Sequence, residues 1–197
     1  AAEIQTEREN GFGKEPSKVD AKTPKKEEPA KAAASAPAAK PVFETKVLHS
    51  TSKPRLVPID VDLKGAKDLY LVVSDEGGKS CDWADWIGPV LVMADGSTQD
   101  LTSLSWKVAT AGSGGVKKNQ SNVGKPLLVD GRSYSKGIGT HAYSMIHYAL
   151  PAGVARFTAE VAIDDGGMVR GGKPSDASVK FLVYTAKPPG APEPPKP

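Results

Sequence analysis

The chain has 197 residues, with 26 basic and 23 acidic side chains and a formal net charge of +3, too small and too evenly spread to mark a nucleic-acid-binding or anionic-membrane-binding surface. No apolar run approaches the roughly 20 residues that span a bilayer. The one cysteine, Cys81, excludes an internal disulfide and leaves the redox compartment open.

From the N-terminus, residues 1–42 offer only Ile4, Phe12, Val19 and Val42 as apolar side chains of any size. That is too little to offset chain entropy. Pro16, Pro24, Pro29, Pro37 and Pro41 recur too closely for the alanines around Ala33 to propagate a helix. Lys25-Lys26 sits against Glu27-Glu28, and eight basic residues stand against seven acidic ones, so the segment is not a one-sided nucleic-acid arm. Its composition predicts a disordered Ala/Pro/Lys/Glu-rich tether over 1–42. The Pro-rich stretch 188–197 repeats that chemistry as a tail, leaving 43–187 for one domain with its own core.

Within the domain, strand-length apolar runs follow one another: Val57–Val61, Leu69–Val73, Val90–Met93, Leu127–Val129, Met145–Leu150, Phe157–Ile163 and Val179–Tyr184. Turn residues separate them at Lys64-Gly65, Gly77-Gly78, Asp95-Gly96, Asp130-Gly131, Ala152-Gly153 and Asp165-Gly166-Gly167. No stretch keeps a helical period for a helix's length. This pattern predicts an all-β fold, an antiparallel β-sandwich or jelly roll.

The stretch Lys136-Gly137-Ile138-Gly139-Thr140-His141-Ala142-Tyr143-Ser144 stands out. Glycines at 137 and 139 are expected to take torsions closed to other residues, bending a strand so that His141 and Tyr143 are presented at a fixed place. The same residues also read as a bulge with a hydrogen-bonded core histidine.

Taken together, Leu101–Trp106, Gly114-Gly115-Val116, Asn119–Asn122, Leu127–Gly131, Gly137–Ala142 and Phe157–Asp165 resemble the NPCBM domain, a group allied to carbohydrate-binding modules of family fifty-one. The resemblance runs in order from Leu101 to Tyr184. The preceding Ile59–Val73 and Asp82–Trp86 are similar to the closing strands of such domains, here placed first. Circular permutation of one domain is the preferred account, because two half-modules would each leave an open apolar face. The resemblance implies a galactose-binding-like sandwich that recognises galactose-type glycans without catalysis. It further implies a monomeric module of a larger exported protein, periplasmic, at the cell surface or secreted. The alternative is a structural or protein-interaction sandwich on the same fold with no sugar site.

Among side chains that carry chemistry, the three histidines His49, His141 and His147 accompany no nucleophile elbow and no zinc-ligand spacing. The acid pairs Asp164-Asp165 and Asp82 with Asp85 have the residue type of a glycosidase, and Asp164-Asp165-Gly166-Gly167 reads equally as a turn. Asp75, Glu76, Asp82 and Asp85 cluster around Gly77-Gly78 and have the oxygen ligands a calcium ion needs. The resemblance implies a structural calcium site in this loop, although relatives often carry a further Asp where this chain has Gly77-Gly78-Lys79.

A sugar site needs an aromatic face and fixed hydrogen-bonding groups. Trp83, Trp86, Trp106, Tyr134 and Tyr143 are the aromatic candidates, with Trp86 and Trp106 also reading as core. The residues expected to meet a glycan are His141, Tyr143, Lys118, Asn119, Asn122, Trp106, Asp164 and Arg170. Many relatives carry a Trp before the glycine near position 114, where this chain has Ser113.

Overall fold

The computed structural model describes residues 38–77 and 80–192. Most of the expected tether, residues 1–37, lies outside them, as do residues 193–197 of the expected tail. The described strands are, in chain order, β1 (Phe43–Glu44), β2 (Leu48–His49), β3 (Val57–Asp62), β4 (Asp68–Asp75), β5 (Trp83–Met93), β6 (Thr98–Asp100), β7 (Val108–Thr110) and β8 (Lys117–Lys118). They continue with β9 (Leu127–Val129), β10 (Arg132–Tyr134), β11 (Gly137–His141), β12 (Ser144–Ala149), β13 (Val154–Ile163), β14 (Val169–Arg170), β15 (Lys173–Pro174) and β16 (Ser178–Tyr184).

Two antiparallel sheets face one another. The first runs β1-β16-β4-β12-β7 with β2 also on β16, and the second runs β3-β13-β5-β11-β8 with β6 also on β5. The architecture is thus the expected all-β sandwich. Strands from before and after residue 100 alternate in both sheets: β4 lies between β16 and β12, and β5 between β13 and β11. The two segments therefore build one sandwich, and neither leaves its apolar face open.

Alternation along each strand supplies the core. Leu69, Leu71 and Val73 of β4 and Val179, Phe181 and Val183 of β16 meet Trp86 of β5 and Phe157, Val161 and Ile163 of β13. Trp86 is fully buried, 5.1 Å edge-on from Phe181 and 6.2 Å from Phe157. Truncating that indole would cost about 3–5 kcal/mol.

One irregularity decides which residues of β5 face outward. Thr158 pairs with Val90 and Glu160 with Ile87, so β5 holds one residue more than β13 across this interval. The interval contains Gly88, at φ 54°, and Pro89. Proline in a central strand needs such a bulge, since it cannot donate to the ladder. Side-chain direction inverts across it: Ala84 and Trp86 point inward before the bulge, Leu91 after it.

The outer face of the second sheet is covered. Asp130-Gly131, at φ 52° and 75°, closes the two-residue turn between β9 and β10, the conformation this dipeptide favours in hairpins. Leu127 and Val129 of that hairpin pack on Ile87 and Ala162, with Leu56 and Tyr134 at the edge. On the opposite side of the sandwich, Ala39 and Ala191 pack against Tyr70, Val72, Met145 and Tyr184 of the first sheet.

Candidate functional site

Where the β9–β10 hairpin folds over the second sheet, it leaves a groove of about 530 Å³. The half-buried Trp83, Ser121, Lys125, Pro126, Leu128, Ser133, Asp164, Asp165 and Gly166 line it. Trp83 opens β5 and pairs across the ladder with His141. By strand alternation the side chains of Trp83, Asp85 and His141 share the outer face of the sheet. The volume lies within the range of small-molecule sites, and indole, hydroxyl, ammonium and carboxylate groups are the mixture that recognises polar rings with apolar faces.

The acidic floor is held by backbone amides. Asp164 accepts hydrogen bonds from Gly166 N at 2.7 Å and Leu128 N at 3.0 Å, one on each oxygen. Asp165 accepts from Asp130 N at 2.9 Å and Gly131 N at 2.8 Å, and Arg55 Nη2 lies 3.2 Å away. The pair therefore starts a 3-10 turn at Asp165–Gly167 and fastens the hairpin to the sheet. Asp85 is buried against Asp164, and no donor among the described residues reaches its oxygens. Burial first, and the Asp164 charge second, push its carboxyl well above the usual range and favour the neutral acid. A glycosidase needs its two carboxyls several ångströms apart with the scissile bond between them. Asp164 and Asp165 instead commit their oxygens to backbone amides of the hairpin and the turn.

The signature glycines act by a different physical route from the one expected. Gly137 and Gly139 do not take positive φ; they are ordinary residues of β11, paired with Ile87 and Asp85. What they supply is room. A β-carbon on Gly139 would fall 2.3 Å from Gln120 O and 2.5 Å from Ser121 Cα, and one on Gly137 would fall 2.7 Å from Leu127 Cδ1. The 120–129 segment can lie on the sheet only because these side chains are missing. His141 is buried, and its Nδ1 stands 2.6 Å from Ala142 O, which can only accept.

The remaining expected glycan-facing residues do not gather at one place. Lys118 donates to Leu104 O and lies 4.9 Å over the ring of Trp106, which in turn meets Tyr148 edge-on at 6.4 Å. That unit packs at the β7–β8 end of the core. Asn122 is buried against Gly114, and Asn119 Oδ1 accepts from Gly137 N at 3.2 Å. Tyr143 is exposed and lies toward Tyr184 of the first sheet; Arg170 donates to Ser80 Oγ at 2.7 Å. Of the expected set, the groove takes Asp164 directly and rests on the strand that carries His141. In the sequence Trp83 is one aromatic candidate among five, Ser121 enters only within the run Asn119–Asn122, and Lys125 and Ser133 carry no signal. The detectable cue was the double glycine after Asp164-Asp165. Gly166 lies against the Trp83 ring, and Gly167 against Cys81 O.

The four carboxylates expected to hold calcium occupy three environments. Asp75 Oδ1 accepts from Gly77 N at 2.8 Å, and Glu76 Oε1 from Ser74 Oγ at 2.6 Å, both at the exposed end of β4. Asp82 is buried with Oδ1 on Ser178 N at 2.8 Å, while Asp85 is buried beside Asp164. Among the described residues, no three histidine, cysteine or acidic side chains form a group that could hold a metal ion. The donor chemistry is present, but these residues do not fit a single calcium cage.

The model of one protein family, the NPCBM/NEW2 domain, matches residues 20–92 and 97–188 of the chain. Among curated proteins, one named "Putative endo-alpha-N-acetylgalactosaminidase", from Renibacterium salmoninarum, is 30% identical over 128 residues. The match covers 58% of this chain but only 8% of that protein. No solved structure matches the chain significantly.

Proposed function

This chain belongs to the NPCBM/NEW2 domain family, and from that premise we propose that it is a non-catalytic module that recognises galactose-type glycans in the groove beneath the β9–β10 hairpin. The observation that carries the reading is the half-buried Trp83 ring in the wall of a groove of about 530 Å³ beside serine hydroxyls, Lys125 and the Asp164 carboxylate. An indole face takes the apolar side of a pyranose, and the polar groups fix its hydroxyls. The relative's name, an enzyme acting on N-acetylgalactosamine linkages, supports the galactose class. Such modules belong with extracellular glycosidases, so the parent protein is read as exported; among the described residues no helix is long and apolar enough to cross a membrane. The strand order is read as a circular permutation, with residues 1–42 as tether.

The test is an NMR titration of the full chain with galactose, N-acetylgalactosamine and glucose, repeated with Trp83→Ala. Saturable shifts of groove residues with the first two sugars, lost in the variant, are expected. A scaffold role is favoured by one observation, the commitment of Asp164 and Asp165 to backbone amides. It predicts no shifts with any sugar and only a lower melting temperature for Trp83→Ala.

A further inference from the structure

Beside the Trp83 groove lies a second hollow of about 430 Å³, lined by Asn119, Gln120, Gly124, Pro126, Ser133, Tyr134 and Ser135. The two share Pro126 and Ser133, so they abut across one ridge. Their linings differ in charge. The first contains two carboxylates and Lys125; the second contains no charged side chain.

Three cations lie beside lining residues of the second hollow. Lys125, itself a lining residue of the first groove, stands in sequence between Gly124 and Pro126 of the second. The Lys117 chain runs alongside, its Cδ and Cε within 4 Å of where a Gly124 β-carbon would sit. The Arg132 guanidinium lies 5.8 Å over the ring of Tyr134. No carboxylate among the described residues pairs with any of the three, whereas their neighbours Lys53 and Lys136 are paired with Asp130 and Asp100. A neutral, amide- and hydroxyl-lined hollow flanked by positive charge that no carboxylate pairs is complementary to an anion on a polar scaffold.

We propose that the two hollows form one site for a two-residue glycan unit, a neutral sugar against Trp83 and a linked residue bearing a carboxylate or sulfate over Lys117, Lys125 and Arg132. This rests on the carbohydrate reading above and adds to it a second subsite and its charge. The ring-bearing hollow supplies stacking and the cationic one supplies selection, since exposed ion pairs add little each but discriminate sign.

The experiment is calorimetric titration of the full chain with lactose, sialylated lactose and sulfated lactose at low and at high salt, for the native chain and the Lys117→Gln/Arg132→Gln variant. Expected is roughly fivefold tighter binding of an anionic lactose than of lactose at low salt, shrinking as salt screens the contacts. In the variant that ratio falls toward one. A gain with the sialylated sugar alone assigns the hollow to a carboxylate; a gain with the sulfated sugar alone assigns it to a sulfate. Equal affinity for neutral and anionic sugars overturns the second subsite and leaves the sugar-binding reading standing. A preference unchanged in the variant overturns the assignment to these cations, and silence with every sugar overturns both readings.

Discussion

The ring of Trp83 lies so close to the backbone of Gly166 that a β-carbon there would fall 2.2 Å from its Cζ3. No side chain fits without moving the indole, and the indole forms the groove wall. Gly166→Ala is therefore expected to displace Trp83, costing about 1–3 kcal/mol of stability as overpacking does. Sugar affinity should fall with it. Thermal denaturation and the galactose titration check this together, and a variant with both properties native would mean that the ring does not form the binding wall.

Gly139 plays the corresponding part on the floor. Its missing β-carbon leaves room for Gln120 O and Ser121 Cα, and Ser121 lines the groove. Gly139→Ala would press backbone against backbone, where no flexible side chain can yield. We expect a destabilisation of about 3 kcal/mol, with amide exchange accelerating first in residues 119–126. Protection unchanged in that segment would show that the loop is held by other contacts.

Much of the fold was legible because it depends on local chemistry. Alternation placed Leu69, Leu71 and Val73 on one face, and Asp130-Gly131 dictated the hairpin turn. The site was harder to read because it depends on where that hairpin lands. Nothing within Leu127–Tyr134 says that it folds back onto the outer face of β5 and β13, turning Trp83 and Asp164 from surface residues into a wall and a floor. Carboxylate clustering in sequence was a poor guide for the same reason. Asp82 and Asp85 are three residues apart, yet Asp82 precedes β5 and accepts from Ser178 N of the first sheet, while Asp85 within β5 is buried beside Asp164. The glycine signature was recognisable, but its cause lay in Gln120 and Ser121, a distant part of the chain.

Lys118 separates the groove from the site expected at Trp106. Its ammonium is held by Leu104 O and the Trp106 ring, and Lys118 is not among the groove-lining residues. Lys118→Met is expected to lower stability by about 0.5–1 kcal/mol through the lost cation–π contact. Glycan affinity should remain native. A variant of native stability with weakened sugar binding would move the recognition surface to the β7–β8 end.

Asp82 makes the stability of the sandwich depend on pH. Burial is the largest influence on its carboxyl and raises it; the Ser178 amide and His141 pull it down, Asp75 and Asp176 add repulsion, and the balance sets it at about 6. An unfolded carboxyl ionises near 3.8. Between these values the folded chain holds a proton that the unfolded chain has released, so stability falls as pH rises through this window and the loss is complete above it. The shift corresponds to about 3 kcal/mol, and the raised Asp85 carboxyl acts with the same sign. Asp82→Asn keeps an acceptor for Ser178 N without the charge, and should flatten the curve. Denaturant titrations of both chains at pH 4, 5, 6 and 7 measure it: the native chain should lose stability relative to the variant with each step up to pH 6 and little beyond. A native chain that instead gains on the variant as pH rises would mean that the Asp82 anion is stabilised in the fold, by the Ser178 amide or by a bound cation at its unpaired Oδ2.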